Sequence, residues 1–261
     1  MSDCLRIETD ARGVARMTLN RPDKHNALSA DLMDALTAAA HELGADAGVR
    51  VVVLTGAGKS FCAGGDLAWM QEQMQKGPEQ RNKAARKLAE MLYALNTMPK
   101  PLIGRVQGQA FGGGIGMMAV CDVAIGVHGP KFGLTESRLG LIPATIGPYV
   151  AARMGEAMAR RVYMSARLFE ADEAVTLGLL ARAVAPEDLD AAVEAEVVPY
   201  LSCAPGAVAA AKAQLRGLGP RIDSEVIDRS IAQLSERWAS DEAQEGIAAF
   251  FEKRRPGWAQ S

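Results

Sequence analysis

The chain repeats one local pattern, in which a short apolar run leads into a glycine-rich loop and then into a helical pattern. Val51–Leu54 leads into TGAGKSFCAGGD, and Pro101–Val106 leads into GQAFGGG. A continuous apolar run of this length is typical of a strand buried on both faces, as in a parallel sheet. Strands that alternate with helices favour an α/β fold, in which loops at the strand ends build the functional site.

Strand and helix signals extend this pattern along the chain. We predict strands at Leu5–Thr9, Val14–Leu19, Val51–Leu54, Pro101–Val106 and Val123–Val127. Ser29 is a suitable N-cap for an amphipathic helix, and further helices are predicted at about Gln80–Leu95 and Ile115–Val120. After Leu180–Val184 the pattern is almost wholly helical. We therefore predict a core over residues 1–200 and a helical region over residues 201–261.

The net charge and the cysteines indicate which binding partners and which cellular compartment to expect. Lys and Arg number 29 against 31 Asp and Glu, so the net charge of −2 offers no general attraction to nucleic acid or to an anionic membrane. Cys4, Cys62, Cys121 and Cys203 are widely separated, as expected of thiols in a reducing compartment. We see neither a secretory signal in MSDCLRIETD nor an apolar stretch of membrane-spanning length, so a cytoplasmic protein is expected.

Three other kinds of site have weak support. VVVLTGAGKS resembles half of a phosphate-binding P-loop, but Val53 occupies the position of the first glycine. The chain has three histidines and lacks the G-x-S-x-G turn of a serine hydrolase. No His, Asp and Glu residues have the spacing of metal ligands, so we predict no metal site.

The two glycine-rich loops are the candidate site. As plain turns, they would join strands to helices, with Asp66 as the N-cap of a helix from Leu67. As a functional pair, they could present backbone N–H groups to a shared point. Gly113 and Gly114 also lie where a helix begins, so its positive end would face developing negative charge. The loops alone leave both interpretations open.

Four ordered segments carry a resemblance that favours the functional reading. NRPDKHNAL, FCAGGDL, GQAFGGGIGMMAVCDVAI and KFGLTESRLGLIP resemble the landmarks of the crotonase (enoyl-CoA hydratase/isomerase) superfamily. The resemblance runs from about Asn20 to Val184, and EGIAAFFEKRRPGW is similar to that family's closing helix. It implies a crotonase-like ββα spiral core, a C-terminal helical trimerisation region, and a homotrimer or a hexamer built as a dimer of trimers.

The resemblance also assigns site residues. It implies that the N–H groups of Gly65 and Gly113 hold the thioester carbonyl of an acyl-CoA, where each donor can lower the barrier by roughly 3–4 kcal/mol. Glu136 corresponds to a catalytic glutamate, whose pKa burial would raise. No cofactor beyond the CoA moiety of the substrate is implied. Further substrate and CoA contacts are assigned to Lys24, Ala63, Gly64, Asp66, Leu67, Gly112 and Lys253.

Two of these assignments have a competing interpretation. Lys24, placed beside the CoA phosphates, and Lys253, placed in the closing helix and reaching a neighbouring subunit's CoA, also fit solvated surface charges. Tyr149 and Arg153 could contact a second carboxylate on the substrate, since an arginine fork suits a carboxylate, or could lie on a helix surface.

One departure from the family pattern leaves the reaction open. Two-glutamate hydratases carry their first glutamate where this chain has Gly116. A single base at Glu136 suffices to move a proton between C2 and C4 of an enoyl thioester, which is isomerisation, and it can also activate water for hydration. ESRLGLIPATIGPYVAARMG looks most like the methylglutaconyl-CoA hydratase branch of leucine and terpenoid breakdown, so we predict hydration of an α,β-unsaturated acyl-CoA. A non-catalytic CoA-thioester binder or RNA-associated protein is the alternative from another class.

Overall fold

The fold contains two β-sheets. The computed structural model describes residues 3–259. The nine strands within that range are β1 Leu5–Thr9, β2 Val14–Leu19, β3 Val51–Gly56, β4 Ser60–Cys62, β5 Leu102–Val106, β6 Gln109–Phe111, β7 Val123–Val127, β8 Phe132–Gly133 and β9 Arg182–Val184. The larger sheet has the order β1-β2-β3-β5-β7-β9 and the smaller has the order β4-β6-β8. Only β1 and β2 pair antiparallel, and every other neighbouring pair is parallel.

Helices cover the sheets and form the C-terminal part of the chain. Those within the described residues are α1 Ala30–Ala45, α2 Leu67–Met74, α3 Pro78–Thr97, α4 Gly113–Val120, α5 Gly147–Met154, α6 Glu156–Tyr163, α7 Ala171–Thr176, α8 Leu189–Leu201, α9 Pro205–Leu218, α10 Ser224–Trp238 and α11 Asp241–Phe251. The predicted cap is confirmed, because Ser29 Oγ accepts the N–H of Leu32 at 3.4 Å. None of the helices between residues 3 and 259 is both long and apolar enough to cross a membrane.

The buried centre of the fold explains the apolar runs. All six residues of β3 and all eight residues of α4 are buried, so neither element shows an alternating or amphipathic pattern. The α/β class and its parallel sheet are therefore confirmed. The predicted strands at β1, β2 and β7 agree residue for residue, and the predicted helix at Ile115 begins two residues earlier, at Gly113.

The smaller sheet was not predicted. Both β4 and β6 lie within segments that we interpreted as continuous glycine-rich loops, and β8 is a two-residue strand. Strands of three residues or fewer are too short to express a period of two, so hydrophobic patterning cannot identify them. Their pairing matters here, since β4 and β6 lie side by side immediately before the two glycine loops.

The C-terminal helices pack on the preceding part of the same chain. On α10, Ile227 and Ile231 pack against Ala85 and Ala89 of α3. Lys212 of α9 forms an ion pair with Asp122 at 2.7 Å and donates to the carbonyl of Lys100 at 3.0 Å. The boundary at residue 200 remains a prediction, although α8 ends at Leu201.

Candidate active site

The first glycine loop, after β4, is held by the segment that precedes α1. The N–H of Leu28 donates to Gly64 at 2.7 Å, and the N–H of Asp66 donates to Leu28 at 3.0 Å. Gly64 has φ of +89°, a left-handed conformation that other residues rarely adopt. A Cβ at Gly64 would also lie 3.0 Å from the carbonyl oxygen of Phe111 in the second loop. The two loops therefore touch at this position.

Asp66 ties the first loop to the helix that follows it. Its carboxylate accepts the N–H groups of Ala68 and Trp69 as the cap of α2, and it pairs with Arg21 at 2.8 Å. Burial alone would raise the pKa of Asp66, but the hydrogen bonds from Arg21 and the two amides outweigh it and hold that pKa below its ordinary value. The predicted cap is confirmed, whereas the neighbouring Leu67 is about half exposed.

The second loop brings its glycines against the first. Gly112 has φ of +47° and precedes the first helical residue, Gly113. A Cβ added to Gly112 would lie 3.9 Å from the Cα of Gly64. A Cβ on Gly114 would lie 2.5 Å from the carbonyl oxygen of Cys62, so a side chain at that position would force the loops apart.

Two backbone donors in these loops lack acceptors. Across residues 3–259, no hydrogen bond uses the N–H of Gly65 or the N–H of Gly113. For Gly113 this follows from its place in the first turn of α4, where amides have no partner within the helix. Each donor is thus free to bind an oxygen atom of a ligand.

Glu136 stands beside the contact between the loops. It begins a 3₁₀ turn, Glu136–Leu139, after β8, and its Oε1 lies 3.1 Å from the position of a Cβ on Gly112. Its Oε2 is buried and has no hydrogen-bond partner among residues 3–259. Burial raises the pKa of Glu136 to about 7, opposed only by its own backbone amide. Near neutral pH the carboxyl group is therefore poised to accept or to give a proton.

The raised pKa of Glu136 predicts a pH-dependent stability effect. Between the ordinary value of 4.5 and about 7, the folded chain binds a proton that the unfolded chain has released, so the free energy of unfolding falls as pH rises. Glu136→Gln, which stays neutral, is expected to stabilise the fold by at most about 3 kcal/mol at pH 8 and by less at pH 5.5. Denaturant unfolding at both pH values measures the difference.

The control for this stability effect is Glu170→Gln. Glu170 is exposed and pairs with Lys131 at the surface, so its replacement should change stability little at either pH. Equal stability of the Glu136→Gln variant and the wild type at pH 8 would contradict the desolvation of Glu136.

The position of the missing glutamate is closed by packing. A Cβ on Gly116 would lie 2.7 Å from Cγ2 of Ile146 and 3.4 Å from Cδ1 of Leu92. Both of these side chains are buried in the main hydrophobic core. A carboxylate at this position would need Ile146 to move and would lie among apolar groups.

Of the residues assigned to CoA contacts, Lys24 and Ala63 lie near each other, and Lys253 lies after the last helix. Ala63 donates its N–H to the carbonyl of His25, which follows the exposed Lys24, so Lys24 and Ala63 lie near each other. Lys253, which we placed in the closing helix, lies outside it, because α11 ends at Phe251. Lys253 is exposed, and its side chain forms no hydrogen bond or ion pair with residues 3–259.

The two helix residues considered for a second carboxylate contact face other groups. Arg153 donates to the carbonyls of Ala119 and Asp122 at the end of α4. Tyr149 is buried, and it lines a cavity of about 810 Å³ together with Arg153. None of the lining residues of that cavity belongs to the two glycine loops or to the Glu136 turn.

Several residues near the loops were missed by the sequence analysis. Met70 and Trp69 lie 3.4–3.9 Å from a Cβ built on Gly65, and Leu28 would contact a Cβ on Gly113. Tyr163 lies near Glu136, and its hydroxyl donates to the carbonyl of Pro143 at 2.7 Å. Burial, with a smaller contribution from Glu136, raises the pKa of Tyr163 to about 12. Trp69 and Met70 lie on the helix after the first loop, whereas Leu28 and Tyr163 come from distant parts of the sequence, so no local pattern singles them out.

Comparison with known proteins gives matches along nearly the whole chain. The family model described as enoyl-CoA hydratase/isomerase matches residues 9–261. The short-chain-enoyl-CoA hydratase of Clostridium acetobutylicum is 33% identical over 249 residues, which are 93% of this chain and 92% of that protein. An enoyl-CoA hydratase structure from Shewanella pealeana is 37% identical with a TM-score of 0.80, covering 98% of this chain and 96% of that one. An enoyl-CoA hydratase structure from Mycobacterium avium is 31% identical with a TM-score of 0.84, covering 99% and 100%.

Proposed function

The chain belongs to the enoyl-CoA hydratase/isomerase family, and on that premise we propose that it adds water across the double bond of an α,β-unsaturated acyl-CoA. One observation carries the proposal. Within the part of the chain that the structure describes, a buried carboxyl group with an unpartnered oxygen lies beside two touching glycine loops, and each loop contains an N–H group without an acceptor. A base and an oxyanion-binding pair are the two elements that enolate chemistry needs.

In this mechanism the thioester oxygen binds to the N–H groups of Gly65 and Gly113. The ionised Glu136 removes a proton from water as the oxygen of that water bonds to C3. Electrons of the C2–C3 double bond move to C2 and the thioester oxygen, where the two amides stabilise the enolate. Glu136 then returns its proton to C2, which regenerates the carboxylate and leaves a 3-hydroxyacyl-CoA. No metal or redox cofactor takes part in these steps.

The CoA portion is proposed to bind outside the loops. The exposed Lys24 is next to His25, whose carbonyl holds the Ala63 amide, and this arrangement supports a contact of Lys24 with phosphates and of Ala63 with adenine. Lys253 is proposed to serve the CoA of a neighbouring subunit in a homotrimer or hexamer. An exposed lysine side chain that has no ion pair with residues 3–259 supports this contact.

Isomerisation is the second candidate, and the packing around Gly116 favours it. Since Ile146 occupies the space beside this glycine, no second glutamate joins Glu136 from that position, and the carboxylate of Asp66 is held by Arg21 and two amides of α2. A single carboxylate can remove a proton from C4 of a 3-enoyl thioester and deliver it to C2. The same pair of amides would stabilise the dienolate formed between these steps.

Absorbance of the conjugated enoyl thioester distinguishes the candidates. Loss of absorbance with crotonyl-CoA or methylglutaconyl-CoA is expected for a hydratase, and faster loss with the second supports the branched substrate of the methylglutaconyl-CoA branch. Gain of absorbance with 3-hexenoyl-CoA instead indicates an isomerase. Binding of all three compounds without any change in absorbance contradicts the enzymatic proposal and favours a non-catalytic CoA-thioester binder.

A further inference from the structure

The turn that carries Glu136 is held at its far end by α10. The turn ends at Gly140, whose carbonyl oxygen accepts hydrogen bonds from Nε and Nη2 of Arg237 at 3.2 and 3.1 Å. The same guanidinium pairs with Glu242 of α11 at 2.5 Å. Arg237 therefore connects the turn to two C-terminal helices.

α11 approaches the same turn without room for a side chain. A Cβ on Gly246 would lie 2.6 Å from the carbonyl carbon of Leu139, and a Cβ on Gly140 would lie 2.5 Å from that of Glu242. Leu141, directly after the turn, packs against Ala243 and Ile247 of α11. Backbone in close contact on both sides leaves the turn little freedom to shift.

The contacts of the turn with α10 and α11 matter because few hydrogen bonds hold the carboxyl group of Glu136 directly. Oε2 is buried without a hydrogen-bond partner among the described residues, and the donor that does act on the carboxyl group is the backbone amide of Glu136 itself. Its place beside the glycine loops is consequently set by the backbone of the turn. A displacement of about 1 Å in a catalytic group can lower a rate by about 100-fold.

We propose that α10 and α11 position the carboxyl group of Glu136, with Arg237 and Gly246 as the positioning residues. This inference rests on the proposed function, in which Glu136 transfers protons. Arg237 acts through the carbonyl of Gly140 rather than through its charge. Glu242 neutralises that charge, and no charged group contributes to the raised pKa of Glu136.

The other polar groups around the turn do not substitute for Arg237. Arg138, within the turn, is exposed, and its side chain forms no hydrogen bond or ion pair with residues 3–259. The hydroxyl of Tyr163 donates to Pro143, on the chain segment after the turn. Arg237 is the side chain that donates to the carbonyl at which the turn ends.

Arg237→Ala, Arg237→Lys and Arg229→Ala test the proposal in the whole 261-residue chain. Arg229 lies on the same helix, is exposed and pairs with Glu225, so its replacement removes an equal charge without touching the turn. We expect Arg237→Ala to lower kcat by about 10- to 100-fold with KM nearly unchanged. Arg237→Lys should restore part of this loss, and Arg229→Ala should match the wild type.

A second readout separates positioning from a general loss of stability. A looser turn would let water reach the carboxyl group, so the pKa of Glu136 near 7 should fall towards 4.5 in Arg237→Ala. Carboxyl ¹³C NMR titration of Glu136 measures this fall without any substrate. Gly246→Ala, which must displace Leu139, should also lower both kcat and the pKa of Glu136.

Failure of the inference and failure of the proposed function give different results. Wild-type protein without turnover on any enoyl-CoA contradicts the proposed function, and the NMR titration still tests the positioning. An active wild type whose folded Arg237→Ala variant keeps both the kcat and the Glu136 pKa overturns the inference. If Arg237→Ala does not fold, Arg237→Lys and Gly246→Ala are compared by the same two measurements.

Discussion

Glutamine in place of Glu136 is expected to lower kcat for enoyl-CoA hydration by about 10²- to 10⁴-fold, the usual contribution of a positioned acid–base group. Glutamine keeps nearly the same size but can neither accept the proton of the attacking water nor return it to C2. Steady-state kinetics and calorimetric binding of a saturated acyl-CoA measure the two effects. We expect the dissociation constant to change little, because the N–H groups assigned to the thioester oxygen remain in place.

Glu170→Gln is the matched control for this loss of activity, since it makes the same chemical change at an exposed surface pair. Its kcat should equal that of the wild type. Full turnover by Glu136→Gln would show that another group transfers the proton and would reject the mechanism proposed above. Loss of binding together with turnover would assign Glu136 to substrate affinity instead of catalysis.

The same substitution connects catalysis to the stability of the fold. The carboxyl group is buried without a partner for Oε2 among the described residues, and the resulting loss of stability grows as pH rises from 4.5 to about 7 and is complete above that pH. If Glu136→Gln loses activity and gains stability at pH 8, removal of one desolvated carboxylate explains both changes. Neither a loosened fold nor a simple surface role for Glu136 predicts both changes together.

The elements that could be predicted from sequence are those with a clear local pattern. The sequences of β1 and β2 are short apolar runs bounded by turn residues, and the predicted bounds of both strands match the structure residue for residue. The cap at Asp66 was predictable because an aspartate directly before a helical pattern accepts the free amides of the first turn. The smaller sheet could not be predicted, because β4 and β6 have only three residues each and are too short to show an alternating pattern.

Long-range packing explains what the sequence could not predict about the candidate site. Gly140 and Arg237 are 97 residues apart, and no local pattern indicates that they meet. The contact between Gly64 and Gly112 likewise depends on the pairing of two short strands. The expected rise in the pKa of Glu136 agrees with its burial, because the turn containing it carries apolar neighbours at Leu134 and Leu139. Lys253 was misplaced because its φ of 55° lies beyond a helix end that the sequence does not mark.

Gly113→Pro is expected to lower kcat/KM by about 10²- to 10³-fold relative to Gly113→Ala, the loss seen when one oxyanion donor is removed. Proline lacks the N–H group, and its fixed φ is tolerated at the first position of a helix, where Gly113 lies. Alanine keeps the N–H group and adds a Cβ, which would approach Cδ1 of Leu28 at 2.5 Å. Because both variants carry that Cβ, their comparison removes its contribution and leaves the loss of the N–H group together with the effect of the proline ring on Gly112.

The pair is best measured with Leu28→Ala in the background, which removes the side chain that the new Cβ would meet. Thermal unfolding checks that both double variants fold, since proline also restricts Gly112 before it, where φ is +47°. Equal kcat/KM for the proline and alanine variants would mean that the Gly113 amide does not bind the developing negative charge. A large difference that appears in kcat and leaves KM nearly unchanged would show that this amide, which has no acceptor among residues 3–259, donates its hydrogen bond mainly in the transition state.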